Sequence, residues 1–185
     1  QARSNLSANQ GEIASAQTTR LAMTHVVMAR TLQETALLAA KAAGANLDVA
    51  QVIATEEATL KAQAADLRSK LKPDQKYLRG LFSGGTLCYE AQVIWRDWLK
   101  ESVLSNAPLR HEQQLADSRH SVKHTCVDLG EEEFTVGRPH PMIDNDLRIR
   151  RLLQEARDPE VAVIMLDVVI GYGAHPDPAS ELGPA

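Results

Sequence analysis

A chain of 185 residues and 20.2 kDa has room for one full domain or two small ones and for a sizeable core. Its 20 Lys and Arg against 24 Asp and Glu give a formal charge of −4, which offers no basic footprint for nucleic acid. The longest apolar run, residues 161–173, is broken by Asp167 and falls short of the about 20 residues that span a bilayer, so no membrane segment is expected. Two cysteines, Cys88 and Cys126, form no CxxC pair; they are too few for a disulfide scaffold and fit a reducing, cytoplasmic setting. Gln1 stands first with no basic-then-apolar leader, which implies processing or a cut through a longer chain.

Residues 1–19, rich in Ala, Ser, Asn and Gln, are expected to be a loosely ordered lead-in or a frayed helix. A β-branched run at 25–30 predicts a strand, and Thr31 with Glu34 makes a capping box for a helix that stops at Gly44. Residues 47–72 predict a second helix, poor in bulky apolar side chains and closed by Pro73, as in a connector between packed modules. Next come a strand at 77–82, a tight turn at Ser83-Gly84-Gly85 and a helix at 86–100 whose Leu87, Ala91, Ile94 and Trp98 share one face. Residues 124–129 predict a strand, 134–136 a short extended continuation, and Asp144 a cap for a helix with Ile149, Leu152, Leu153 and Ala156 at i, i+3, i+4, i+7. Residues 161–170, continuous and β-branched, predict a strand buried on both faces of a parallel sheet. The alternation argues for an open α/β layer.

Loops at the carboxyl ends of parallel strands form the ligand crevice of such a layer. Three loops qualify. Ser83, Gly84, Gly85 and Thr86 open a helix and suit an anion, though an ordinary strand-to-helix turn explains them as well. In the second, Pro139 and Pro141 clamp His140 and stiffen Arg138. Arg138 suits a two-point grip on carboxylate or phosphate, and His140 suits acid/base or phosphoryl-acceptor work, against the alternative of a rigid surface turn. The third carries Gly171 and Gly173, suited to close backbone approach or simply to turning. Asp167 needs a partner within its apolar strand, for which Arg138 is one candidate. His111, His120 and His124 cluster in sequence without a ligand spacing, so no metal site is expected. Cys88 is expected to serve in packing, the alternative being a thiol activated by the helix end.

Several stretches, taken in order, resemble the FdrA family: the "LRGLFSGGTL" run from Leu78, Val127-Asp128-Leu129-Gly130, the specific "GRPHPMID" run from Gly137, and the run from Leu166 to Gly173. A fainter likeness at 28–34 resembles the end of that family's preceding domain. FdrA proteins are similar to succinyl-CoA synthetase subunits and other NDP-forming acyl-CoA ligases. The resemblance implies an α/β, flavodoxin-like CoA-ligase domain with a parallel sheet at 77–185, incomplete within this chain. A mainly helical segment would precede it: the end of a ligase-like domain at 1–44 and a helical linker at 45–76. It further implies phosphoryl or acyl-phosphate chemistry on a small anionic substrate, with CoA or nucleotide supplied through partner domains and with partner subunits or self-association. Some members are linked to carbamoyl transfer between oxalurate and phosphate. The phosphohistidine loop, the ATP-grasp domain and the CoA-binding Rossmann domain of those relatives are missing, so turnover by this chain alone is not expected. A non-catalytic assembly role is the third alternative.

Overall fold

The computed structural model describes residues 26–185, so the lead-in expected over 1–19 lies outside the described residues. The chain divides into two compact units, residues 1–53 and 54–185. In the first, α1 (Leu32–Ala42) starts at Thr31, whose hydroxyl accepts from the Glu34 N–H at 3.1 Å. The Glu34 carboxylate accepts from the Arg30 N–H at 2.7 Å, one residue earlier than a standard capping box. The helix ends ahead of Gly44, at φ +97°, as a left-handed terminator should. The strand expected over 25–30 does not form across its described part, where no partner strand pairs with it. Helix α2 (Val49–Arg68) passes from this unit into the next, and neither helix has a buried residue.

The second unit holds a four-stranded parallel sheet, ordered β2-β3-β1-β4, from β1 (Tyr77–Phe82), β2 (Leu104–Ser105), β3 (Thr125–Asp128) and β4 (Val161–Leu166). Helix α3 (Gly85–Leu99) covers one face above β1 and β3, burying Cys88, Ala91 and Trp95 with Phe82, Val103 and Cys126. This corrects the expected stripe: Leu87, Ile94 and Trp98 stay largely exposed. The helix turns instead toward Gln92, whose amide donates to the Ala107 carbonyl at 3.0 Å and accepts from the Leu109 N–H at 3.3 Å, tying down the chain after β2.

Short α4 (Glu132–Thr135) replaces the extended continuation expected at 134–136. Glu132 and Glu133 sit in its first turn, where carboxylates complement the helix dipole. The other sheet face meets α5 (Asp146–Glu155), with Leu147 and Leu152 packed against Leu81, Val127 and Leu129. The residues α5 buries most fully are charged, Arg148, Arg151 and Glu155, while Leu153 and Ala156 of the expected aliphatic stripe are exposed. Asn145 occupies the N-cap without a side-chain capping bond, its amide donating to Glu181 at 3.0 Å, and Asp144 accepts from the Asp146 N–H at 2.9 Å from one residue upstream.

Strand β4 ends at Leu166, not 170, and is not buried on both faces. It lies at the sheet edge, and Val163 and Met165, in register with Leu78 and Gly80 on the α3 side, are exposed because α3 does not reach over them. A short α6 (Pro178–Leu182) follows. No helix among the described residues is long and apolar enough to cross a membrane.

Candidate functional site

Three strands deliver polar residues at their carboxyl ends: Ser83 just after β1, Asp128 closing β3, and Asp167 just after β4. Parallel pairing places these ends along one rim of the sheet, where α/β layers bind ligands. Ser83 is buried, its N–H donating to one Asp167 oxygen at 2.9 Å and its hydroxyl to the other at 2.5 Å. Gly84, the N-cap of α3, has extended backbone and no side chain, so no capping bond closes the first turn. The N–H groups of that turn are left for solvent or an anion.

Asp128 is held from the opposite side. Asn106 brackets its backbone, accepting from its N–H and donating to its carbonyl, both at 2.9 Å, and its Oδ1 accepts from the Gly130 N–H at 2.8 Å. A Cβ added to Gly130 would lie 2.6 Å from the Ser83 carbonyl oxygen, 3.0 Å from His140 Nε2 and 3.1 Å from Asp128 Oδ1. Only glycine permits three loops to meet at that point. A Cβ on Gly85 would stand 3.2 Å from Asp128 Oδ2, so the carboxyl lies between the start of α3 and the Gly130 turn. Burial is the main cause raising the Asp128 pKa; Glu131 and Asp167 also raise it, while the Gly130 N–H and His140 lower it.

His140 has a defined tautomer. Its Nδ1 accepts from the Met142 N–H at 3.2 Å, so the proton of the neutral ring sits on Nε2, the atom against Gly130 and Asp128. In that state Nε2 donates a hydrogen bond or proton, and nucleophilic attack through it requires the proton to leave first. Asp128 Oδ1 borders the same Gly130 turn, 3.1 Å from where a Gly130 Cβ would stand.

The Gly130 turn brings His140 Nε2 near the Ser83 carbonyl, and Arg138 lies elsewhere. Arg138 is exposed, following a reversal at Gly137, φ +72°. The pairing of Arg138 with Asp167 is overturned: Asp167 binds Arg148, whose Nη2 lies 3.0 Å from Oδ1 and also donates to the Asp167 carbonyl. Thr86 is exposed on the first turn of α3. Gly171 and Gly173, at φ +142° and +85°, shape an exposed turn closed by the Ala174 N–H on the Gly171 carbonyl at 3.2 Å. That turn touches the second loop through the His175 N–H and the Met142 carbonyl, 2.8 Å apart.

The remaining candidates separate. His120 pairs with Asp117 at the surface, at 2.8 Å. Buried His124 accepts from the Leu78 N–H at 3.2 Å and stacks edge-on against Tyr77. No group of three or more His, Cys, Asp or Glu side chains gathers for a metal among the described residues. The Cys88 thiol is pushed up to about 12 by burial, the reverse of activation. Sequence reasoning left Asp128, Asn106, Gly130 and Arg148 without roles. Asp128 carried a signal, a carboxylate two residues before glycine at the end of a β-branched run; Arg148 carried none, since an arginine on an amphipathic helix reads as solvent-facing.

A parallel α/β layer with a polar crevice at its carboxyl rim is an architecture that binds ligands at that rim. Residues 81–185 match the family model described as CoA-ligase, more than half of the chain, and the chain belongs to that family. It is also 51% identical over 117 residues to the uncharacterized protein YahF of Escherichia coli (strain K12). The match covers 63% of this chain and 22% of that protein, so the chain spans about a fifth of this relative's length.

Proposed function

We propose that the chain is part of an FdrA-like subunit of an NDP-forming, succinyl-CoA-ligase-like acyl-CoA synthetase, working through phosphoryl or acyl-phosphate chemistry. The observation that carries this is the uncapped first turn of α3 facing a buried carboxyl and an Nε2-protonated histidine. Backbone N–H groups at Gly85 and Thr86 hold the oxyanion as charge develops, His140 supplies a proton from Nε2, and Asp128 takes one up, its raised pKa suiting it to that role. The crevice fits the phosphate or carboxylate end of a substrate; CoA and nucleotide belong to partner domains, and Arg138, free at the surface of the second loop, is available to a partner's anion. Partner subunits or self-association belong to the same proposal, in a cytoplasmic setting.

One observation favours carbamoyl transfer as a second reading. A carboxylate acceptor beside the N–H groups of α3 suits a group presenting both an oxygen and an NH2, as a carbamoyl group does. The test is a paired assay of the full-length protein: CoA, ATP and a short carboxylic acid, followed as thioester, against oxalurate and phosphate, followed as carbamoyl phosphate. Thioester formation that falls about 10²- to 10⁴-fold in His140→Gln is the expected result. Carbamoyl phosphate in place of thioester establishes the second reading. Turnover by the assembled complex unaffected by His140→Gln and Asp128→Asn would assign this chain an assembly role.

A further inference from the structure

We propose that Arg148 and Asp167 are positioning residues that set the Ser83-Gly84-Gly85 turn for anion binding; the inference rests on the anion-cradle reading of that turn. Asp167 uses both oxygens on Ser83, Oδ1 on its N–H at 2.9 Å and Oδ2 on its hydroxyl at 2.5 Å. Such a two-point grip fixes orientation as well as distance. Arg148 reaches across from α5, its side chain 3% exposed, and donates to Oδ1 at 3.0 Å and to the Asp167 carbonyl. The chain of contacts runs from α5, through the first residue after β4, to the first residue after β1, immediately before the Gly84 N-cap.

Holding a turn does not by itself require ions. Desolvating an arginine and a carboxylate is expensive, and an apolar contact of the same volume is often at least as stable. Moreover, Arg148 Nε is buried with no hydrogen-bond partner, a further cost for a group retained only to hold the fold. What the pair supplies and an apolar contact would not is the carboxylate's two-point hydrogen-bonded hold on Ser83, with Arg148 compensating the charge that this hold brings to the rim. Asp128 and Asp167 both stand at the carboxyl rim, and Asp167 acts on Asp128 electrostatically. With Arg148 beside Asp167, one carboxylate is compensated. Without it, two would oppose an anion at the start of α3.

The test uses the 185-residue chain labelled with 15N-glycine, inorganic phosphate as the probe, and a thermal midpoint for each variant. The amide resonances of Gly84 and Gly85 report the turn directly. Arg148→Met keeps the stem and removes the charge; it is expected to shift both resonances and to weaken phosphate binding by on the order of tenfold. Arg148→Lys is expected not to restore binding, because an ammonium cannot reproduce the planar grip on Oδ1 and carbonyl together. Ser83→Ala deletes only the hydroxyl bond and keeps the N–H bond to Asp167, so it remains informative if the Arg148 variants fail to fold. It is expected to move the Gly84 resonance and to weaken phosphate binding several-fold. Wild-type resonances and phosphate affinity in folded Arg148→Met, or in Ser83→Ala, overturn the positioning role. If phosphate leaves the Gly84 and Gly85 resonances of the unmutated chain unmoved, the cradle reading fails. Displacement of the same resonances in the variants without phosphate then still tests the clamp on its own.

Discussion

Replacing Glu155 with Gln tests whether the fold depends on the buried charges of α5. Glu155 Oε2 accepts from Arg79 Nε at 2.9 Å, and Oε1 accepts from Arg151 Nε and Ser121 Oγ, both at 2.6 Å. The three charged side chains are 2–5% exposed. Every contact on this carboxylate is a donor, so a glutamine of equal size points its NH2 at a donor whichever way it turns. Arg79 has little in reserve: among the described residues its Nη1 is buried without a hydrogen-bond partner, and its other carboxylate partner is Asp158. Breaking a buried pair by neutralising one member costs about 3–5 kcal/mol, and the oxygen that glutamine retains places the loss near ~3 kcal/mol. Against a domain stability of about 5–15 kcal/mol this is large, and it corresponds to a midpoint lowered by about 6–12 °C. Urea unfolding should show the loss as a lower midpoint at constant slope. Asp66→Asn, which breaks the exposed helical pair with Lys70, should change stability by no more than about 0.5 kcal/mol. A Glu155→Gln curve as close to wild type as the Asp66→Asn curve would refute the claim that this network supports the fold.

Asp128→Asn should raise the thermal midpoint at neutral pH while reducing turnover. The folded pKa of Asp128 lies above its unfolded value, so its ionised form costs native stability and that cost disappears as pH falls through the raised value; midpoints of the two proteins measured at about pH 7.5 and about pH 5 should therefore converge on acidification. His124 has the opposite behaviour, because burial lowers its folded pKa, with Arg79 adding to the effect and Glu101 opposing it. Its contribution is complete above the unfolded value of about 6.5 and is lost as pH drops below that, so the fall in unfolding free energy between about pH 7.5 and pH 5 should be shallower in His124→Gln. Burial raises both thiols, Cys88 to about 12 and Cys126 further; an aromatic disulfide reagent at about pH 8 should label neither in the native chain and both once urea unfolds it.

The central elements were legible because their signals are local. The strand at Tyr77–Phe82 and the helix over Gly85–Leu99 follow from an apolar run, a glycine turn and a helical period. Burial was harder to foresee, since it depends on what stands opposite. Leu87, Ile94 and Trp98 form a good apolar stripe, yet α3 buries the face turned by Gln92 toward the chain after β2. On α5 the period was visible, but its phase was set by Arg79 on the neighbouring strand, which needs Glu155 and so draws charged residues inward. The site divided in the same way. Ser83, Gly84, Gly85 and His140 stood out as candidates through glycine, which frees the backbone, and proline, which fixes it, wherever they occur. Arg148 matters through Asp167, 19 residues away, and no local pattern marks such a pair in advance, whereas Asp128, two residues before Gly130, did carry a local signal.

The crevice charges carry one further consequence, a linkage between anion binding and protons. At the carboxyl rim stand the Asp128 and Asp167 carboxyls, Arg148, His140 with its Nε2 proton, Glu131 nearby, and the open first turn of α3. Arg148 compensates Asp167, which leaves ionised Asp128, with Oδ2 3.2 Å from where a Gly85 Cβ would stand, as the carboxylate facing the proposed anion site. An anion therefore binds best when Asp128 holds a proton, becoming a donor in place of a repelling charge. Sulfate is the suitable probe, because it does not itself titrate near neutrality as phosphate does. Its affinity should rise as pH falls from about 7.5 to about 5.5, and isothermal titrations in two buffers of different ionisation heat should show proton uptake on binding. Asp128→Asn should bind sulfate more tightly than the wild type at about pH 7.5. Sulfate affinity that stays flat with pH in the unmutated chain, or an Asp128→Asn variant that binds no better than wild type at neutral pH, would show that the carboxyl does not face the bound anion.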